Sequence, residues 1–320
     1  MQRLFAYIAC AFAGFFAAVA GAQGYPTKPI RLVVPFTPGG GVDFNARLVA
    51  QKLTEYLGQQ VIVESRPGAG TNIGNEFVAK SAPDGYTLLI NSGAPAINMA
   101  LYKNLGYDTL RDFAMVSLFS ESPNVLVVHP SLPVKTAKQL VALAKSRPGV
   151  MNYSSSGSGT TQHLSAELFN LRTGVKTVHV PFRGTAPSLT ALISGEVELT
   201  FANIPAIAGF VKAGRLRPLA TTGLKRAAQM PQVPTLKEEG IDVEVTVRYG
   251  VFAPIATPKE IVNTLAGAIA KAARSPDTRQ RLLDQGAEPV GSTPEEFTKI
   301  MKDEIVRWAE VVRVSGARAD

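Results

Sequence analysis

Short apolar, β-branched runs alternate along this chain with stretches whose apolar positions recur at helical spacing. Ile30-Arg31-Leu32-Val33-Val34-Pro35-Phe36 has the composition of a strand buried on both faces, and Thr37-Pro38-Gly39-Gly40-Gly41 ends it. Phe44, Leu48, Val49, Leu53 and Leu57 then mark a helix closed by Gly58, with Asp43 as candidate N-cap. The order repeats. A strand at 60–64 runs into Arg66-Pro67-Gly68-Ala69-Gly70-Thr71-Asn72 and a short helix through residues 77–81. After the turn Pro83-Asp84-Gly85, a third strand at 86–90 ends in Asn91-Ser92-Gly93. Strand, loop and helix in alternation predict an α/β fold with a mostly parallel sheet.

The pattern restarts with a strand at 124–128, a helix at 135–146 and a strand at 151–155 that opens into Ser156-Gly157-Ser158-Gly159-Thr160-Thr161. A helix at 164–171, a strand at 177–180, the loop Pro181-Phe182-Arg183-Gly184-Thr185, a helix at 186–194, a strand at 198–202, a helix to Lys212 and a strand at 217–221 complete a second α/β unit. Residues 243–253 read as extended, and helices follow at 259–274, 278–285 and 295–314. Thr293 and Glu296 have capping-box spacing at the start of the last helix. Phe297, Ile300, Met301, Ile305, Trp308 and Val312 form one stripe along it, which reads as core. A terminal helical segment without strands of its own is expected to pack back on the first unit. The chain then crosses between units twice, near residues 121–125 and 245–251. The expected division is 23–125 plus 251–320 for one domain and 126–250 for the other, as a length of 320 residues suggests.

The first 22 residues stand apart. Arg3 precedes an uncharged stretch from Leu4 to Ala20, and Ala20-Gly21-Ala22 resembles a signal-peptidase site, so residues 1–22 read as a cleaved secretory signal. The chain's one cysteine, Cys10, falls inside it, which leaves the mature chain without a disulfide, a thiolate nucleophile or a Cys-ligated metal. Net charge is +8, a field that favours anions. The basic residues are dispersed rather than interleaved with aromatics along a stripe, so no nucleic-acid partner is expected.

Four glycine-rich turns lie between a strand's C-terminal end and a helix N-terminus: 37–43, 67–71, 156–160 and 183–185. Unpaired first-turn N–H groups and the helix dipole make each a cup for an anion. The dipole contributes roughly 0.3–1 kcal/mol at an exposed site and up to about 2 kcal/mol when partly buried, so several must converge to hold a small anion. Nucleotide motifs are absent: there is no G-x-x-x-x-G-K-[ST], and neither Gly39-Gly40-Gly41 nor Gly68-Ala69-Gly70 completes G-x-G-x-x-G. Ser158 and His163 lack a nucleophile elbow, and His129, His163 and His179 lack metal-site spacing, so neither a catalytic residue, a metal nor a cofactor is expected. An α/β enzyme acting on a small anion in the same cleft stays the alternative.

Tyr25-Pro26-Thr27-Lys28-Pro29-Ile30-Arg31-Leu32-Val33-Val34-Pro35-Phe36, then Pro38-Gly39-Gly40, Asp43 and Ala46-Arg47, resemble the opening of the Bug-type periplasmic receptors of tripartite tricarboxylate transporters. The resemblance continues through Glu64-Ser65-Arg66-Pro67-Gly68-Ala69-Gly70, Pro83-Asp84-Gly85-Tyr86-Thr87-Leu88-Leu89, Tyr153 to Gly159 with His163-Leu164, His179 to Gly184 and Val233-Pro234-Thr235. It implies a two-lobed flytrap, each lobe a mostly parallel sheet flanked by helices and joined by two crossover strands. It also implies a periplasmic, monomeric receptor that closes on a small organic carboxylate and hands it to membrane permease subunits. By the same resemblance, Thr37, Pro38, Gly39, Gly40 and Asp43 with Ala69, Gly70 and Thr71 hold one carboxylate through backbone groups and ordered water. Ser156, Gly157, Ser158, Gly159, Thr160 and His163, with Arg183, Gly184 and Thr185, face the ligand's other end, and Ser92 and Asn203 line the cleft. Asp43 is either a structural cap or a carboxylate that needs an intervening water.

Two positions depart from the family. Arg248-Tyr249-Gly250 stands where Trp-x-Gly is usual, and Phe44 where a smaller aliphatic is common. An Arg248 directed into the cleft would clamp a second carboxylate, and Phe44 would stack on an aromatic ring, pointing to a dicarboxylate and to a phthalate isomer among the candidates. An Arg248 facing solvent at the hinge is the other reading.

Overall fold

β1 (Ile30–Val34) sits between two parallel neighbours, β2 (Val61–Ser65) and β3 (Thr87–Asn91), and α1 (Gly41–Leu57) packs over this triplet. The computed structural model describes residues 24–319, so the expected signal peptide lies outside the described residues. Gly58 ends α1 in the left-handed region, its N–H returning to the Thr54 carbonyl. The cap at the other end is Gly40, not Asp43. Glycines 39–41 let the helix start before Asp43, which therefore lies inside the first turn.

A second parallel group consists of β5 (Asn152–Ser155), β6 (Val178–Pro181) and β7 (Leu199–Asn203). Two strands join the groups: β4 (Phe113–Val128) and β9 (Thr246–Pro254), giving the order β2-β1-β3-β9-β4-β7-β5-β6. Residues 113–123 of β4 pair antiparallel with β9, and residues 124–128 pair antiparallel with β7 and with β8 (Arg217–Thr221). β9 is antiparallel to β3 as well, and the short β10 (Glu288–Pro289) adds to β4. Pairing is thus parallel within each triplet and antiparallel where the triplets meet. The sequence pattern reveals the last part of β4 and misses residues 113–123, because Ser117, Ser120 and Ser122 interrupt its apolar run. Each is buried yet partnered: Ser117 Oγ donates to the Ser292 carbonyl at 2.7 Å, Ser120 Oγ to Asn45 Oδ1, and Ser122 Oγ meets the Tyr249 hydroxyl at 3.4 Å.

The remaining helices are α2 (Asn72–Ala79), α3 (Ala94–Leu101), α4 (Thr109–Asp112), α5 (Ala137–Ser146), α6 (Thr161–Thr173), α7 (Thr185–Ser194), α8 (Ile204–Lys212), α9 (Lys259–Arg274), α10 (Pro276–Asp284) and α11 (Pro294–Ser315). α3 escaped the pattern because it is mostly apolar and has no polar face to set a period. On α11 the capping box is formed in full, and Phe297, Met301 and Trp308 are buried. This helix packs on α3, on β4 and on α6, so it braces both halves of the sheet rather than the first alone.

Candidate ligand-binding cleft

The strand ends and helix starts meet in a cavity of about 20 Å³ between the two parallel groups. Phe36 and Ser92 reach it from beyond β1 and β3, Asn124 from β4, Ser156 from beyond β5 and Asn203 from the end of β7. Gly41, Val42 and Asp43 of α1, Thr161 and Gln162 of α6 and Thr185 of α7 line it with their first turns, and Val247 and Tyr249 of β9 complete it. Open α/β sheets bind ligands at this place, outside the carboxyl ends of the strands.

Three of the helices that begin here carry no side-chain cap: α1 starts at Gly40, α7 at Gly184 and α8 at Asn203. Their first N–H groups and dipoles are left for something else in the cleft. α6 differs, because Thr160 Oγ1 accepts from the His163 N–H. No arginine or lysine lines the cavity. Its titratable groups are Asp43 and Tyr249, and burial pushes the Tyr249 phenol up to about 12, against hydrogen bonds to Ser122 and Asn203. Tyr249 is therefore a neutral hydroxyl. Asp43 Oδ2 accepts from the Gly39 N–H and from Arg47 Nε, both at 3.1 Å. Asp43 Oδ1, Asn124 Oδ1 and Asn203 Oδ1 are buried without a partner.

Contacts across the cleft hold the halves together. A methyl group added to Gly41 would stand 2.5 Å from Asn203 Nδ2 and from the Tyr249 oxygen. Gly70, in the left-handed region at φ +57°, lies so near the Ser158 carbonyl that no side chain fits between them, and Tyr102 donates to that carbonyl at 3.1 Å. Gly157 faces Gly70 from the other side, and Gly184 lies against Thr37.

The residues named from the sequence fall in several places. Gly40, Asp43, Ser92, Ser156, Thr185 and Asn203 line the cavity. Thr37, Gly70, Gly157, Ser158, Gly159 and Gly184 form the contacts between or behind the loops; Gly159 sits against Asn98. Ala69 has a positive φ beside Gly70, and Thr71, also at positive φ, accepts from Asn75 Nδ2 at 3.1 Å. Thr160 caps α6, while Pro38, Gly39 and Arg183 are exposed at the rim.

Arg248 is elsewhere. Alternation along β9 turns Val247 and Tyr249 toward the cavity and Arg248 to the opposite face, where it is 24% exposed and pairs with Glu304 of α11 at 2.7 Å and Glu121 of β4 at 3.6 Å. In this structure it braces the crossover strands against α11 and does not line the cavity. Phe44 packs half-buried against the core that α1 covers and does not line the cavity. His163 is buried behind the 156–160 loop, its Nδ1 accepting the Gly159 N–H at 3.1 Å and its ring stacked on His179 at 4.0 Å. Burial, and then the proximity of His179, pull its pKa down to about 3, so it stays neutral.

Phe36, Asn124, Thr161, Gln162, Val247 and Tyr249 line the cavity without having been named as ligand contacts, and Gly41 and Val42 line it from within the 37–43 turn. A strand period of two through Arg248 would have found Tyr249, and Asn124 opening an apolar strand was a signal of its own.

Residues 45–316 match the family model described as "Tripartite tricarboxylate transporter family receptor". The chain is 39% identical to Protein BugT of Bordetella pertussis over 99% of both chains. Among solved structures it is similar to R. palustris Rpa4515 with adipate, at 39% identity and TM-score 0.90 over 93% of this chain and 100% of that one. It is also similar to MatC (Rpa3494) from Rhodopseudomonas palustris with bound malate, at 32% identity and TM-score 0.86 over 90% and 100%.

Proposed function

As this chain belongs to the tripartite tricarboxylate transporter receptor family, a family of binding proteins rather than enzymes, we propose that it captures a small aliphatic dicarboxylate in this cleft and delivers it to a membrane permease. The observation that carries the reading is the ring of uncapped helix N-termini around a cavity without a cationic side chain. Such a site holds carboxylates through N–H groups and dipoles. The adipate and the malate bound by its structural neighbours support the ligand class. Arg248, the expected clamp for a second carboxylate, and Phe44, the expected contact for an aromatic ring, both lie outside the cavity lining, so the dicarboxylate class is supported by the neighbours' ligands and not by Arg248.

In this reading 23–125 plus 251–320 and 126–250 are the two lobes, with the chain crossing between them near residues 121–125 and 245–251. The receptor works as a periplasmic monomer once a signal peptide is removed near Ala22. No helix among the described residues is long and apolar enough to cross a membrane. A thermal-shift screen of the mature chain against aliphatic and aromatic mono- and dicarboxylates tests the ligand class. A ligand at a hundred times its Kd stabilises by about 2.7 kcal/mol. A shift with aliphatic dicarboxylates is expected; a shift with phosphates or nucleotides alone would sink the reading.

A further inference from the structure

Three unpartnered acceptors on the cavity's walls carry an inference about the solute. Asp43 Oδ1, Asn124 Oδ1 and Asn203 Oδ1 belong to residues at least nine-tenths buried, and all three residues line the one cavity. They are also neighbours by construction. Asn124 and Asn203 face each other across the β4–β7 ladder, and the Asn203 side chain presses on Gly41, two residues before Asp43 on α1. The Asn124 amide has one orientation: Ser165 Oγ donates to the Thr161 carbonyl at 2.7 Å, so it must accept from Asn124 Nδ2 at 3.1 Å, which turns Oδ1 the other way. Asp43 is an acceptor at both oxygens when ionised, and Arg47 and Gly39 use only Oδ2.

A buried acceptor without a donor is costly, and a solute that brings the donor gains what the empty pairing loses. Plain carboxylates bring acceptors only. We propose that the preferred solute is a carboxylate that bears its own hydrogen-bond donor, a hydroxyl or an ammonium on the carbon next to a carboxylate, directed at Asp43, Asn124 and Asn203. The inference rests on the receptor reading of this cleft and names its specificity: carboxylate oxygens go to the helix N-termini, and the donor goes to the acceptor wall. The donor then discriminates between solutes of equal length, because a site built to pair a polar group rejects the analogue that lacks it.

Titration calorimetry of the purified protein with succinate, malate and aspartate is the test. These share four carbons and two carboxylates, and differ at one carbon by hydrogen, hydroxyl or ammonium. Malate or aspartate binding at least tenfold tighter than succinate is the expected result. Asp43→Asn should weaken aspartate far more than malate, because the ammonium loses an ion pair where the hydroxyl loses only part of a hydrogen bond; equal weakening of the two would take Asp43 out of the acceptor wall. Asn203→Ala, away from the charge, should cut the preference over succinate severalfold in either case. Equal affinity for all three ligands in the unaltered protein overturns the inference and leaves the receptor reading intact, with water then serving the acceptors. Absence of binding to these and to adipate overturns the receptor reading and the inference together.

Discussion

Glu304 and His163 show how much a single buried side chain is asked to do here. Glu304, 9% exposed, accepts from Trp308 Nε1 and pairs with Arg248, both at 2.7 Å, which ties α11 to the crossover strands. Arg248→Ala strands that carboxylate. Breaking a buried pair costs about 3–5 kcal/mol, and the partial exposure of Arg248 lowers the expected loss to about 1–3 kcal/mol. Urea unfolding should show that loss while calorimetry shows unchanged ligand affinity; weakened dicarboxylate binding would restore Arg248 to the cleft. His163 sets a pH dependence. Its folded pKa is about 3 against 6.5 for the free side chain, so between those values the unfolded chain binds the extra proton and stability falls as pH falls. The slope approaches roughly 1.4 kcal/mol per pH unit below pH 6. The facing groups are His179, Tyr153 and the loop backbone at Gly159. Replacement by glutamine, His163→Gln, should flatten the profile between pH 6 and 4; an unchanged profile would show that other groups govern acid unfolding.

Elements were legible where one period ran through them. β1, α1, β7 and α11 follow directly from apolar spacing and their caps, whereas residues 113–123 and α3 do not, because a strand with partnered serines and a helix without a polar face carry no period. The capping box on α11 is a case in which the sequence signal and the geometry coincide, as Thr293 Oγ1 accepts from Glu296 N and Glu296 Oε2 from Thr293 N. Thr293→Ala should cost about 1 kcal/mol. Since α11 braces both halves, the loss should appear in one cooperative unfolding transition; a separate early transition would mean that the helix frays alone.

At the scale of the molecule the loops of both halves already touch, and about 20 Å³ between them is room for little more than a water. On the proposed function a dicarboxylate enters only when the halves part, which makes closure part of binding. Gly41 is where this can be probed, because its backbone is helical and an added methyl would stand 2.5 Å from Asn203 and Tyr249, where the halves meet. Gly41→Ala should weaken ligand binding by tenfold or more. Small-angle scattering should find the variant less compact than the unaltered chain when ligand is present; identical compaction would remove Gly41 from the closing surface.

The sequence by itself determined the alternation of strands and helices, the glycine-rich loops at the strand ends and the likeness to a receptor family. All of these are local in the chain, set by side-chain period and by where the backbone must turn. Only the tertiary structure decided which of those loops make the cavity and which make the contact beside it. It also turned Tyr249 in and Arg248 out, and left three unpartnered acceptors on the walls of one cavity. A residue's direction depends on strand register and on the surface that folds over it, and both are relations between segments distant in the sequence.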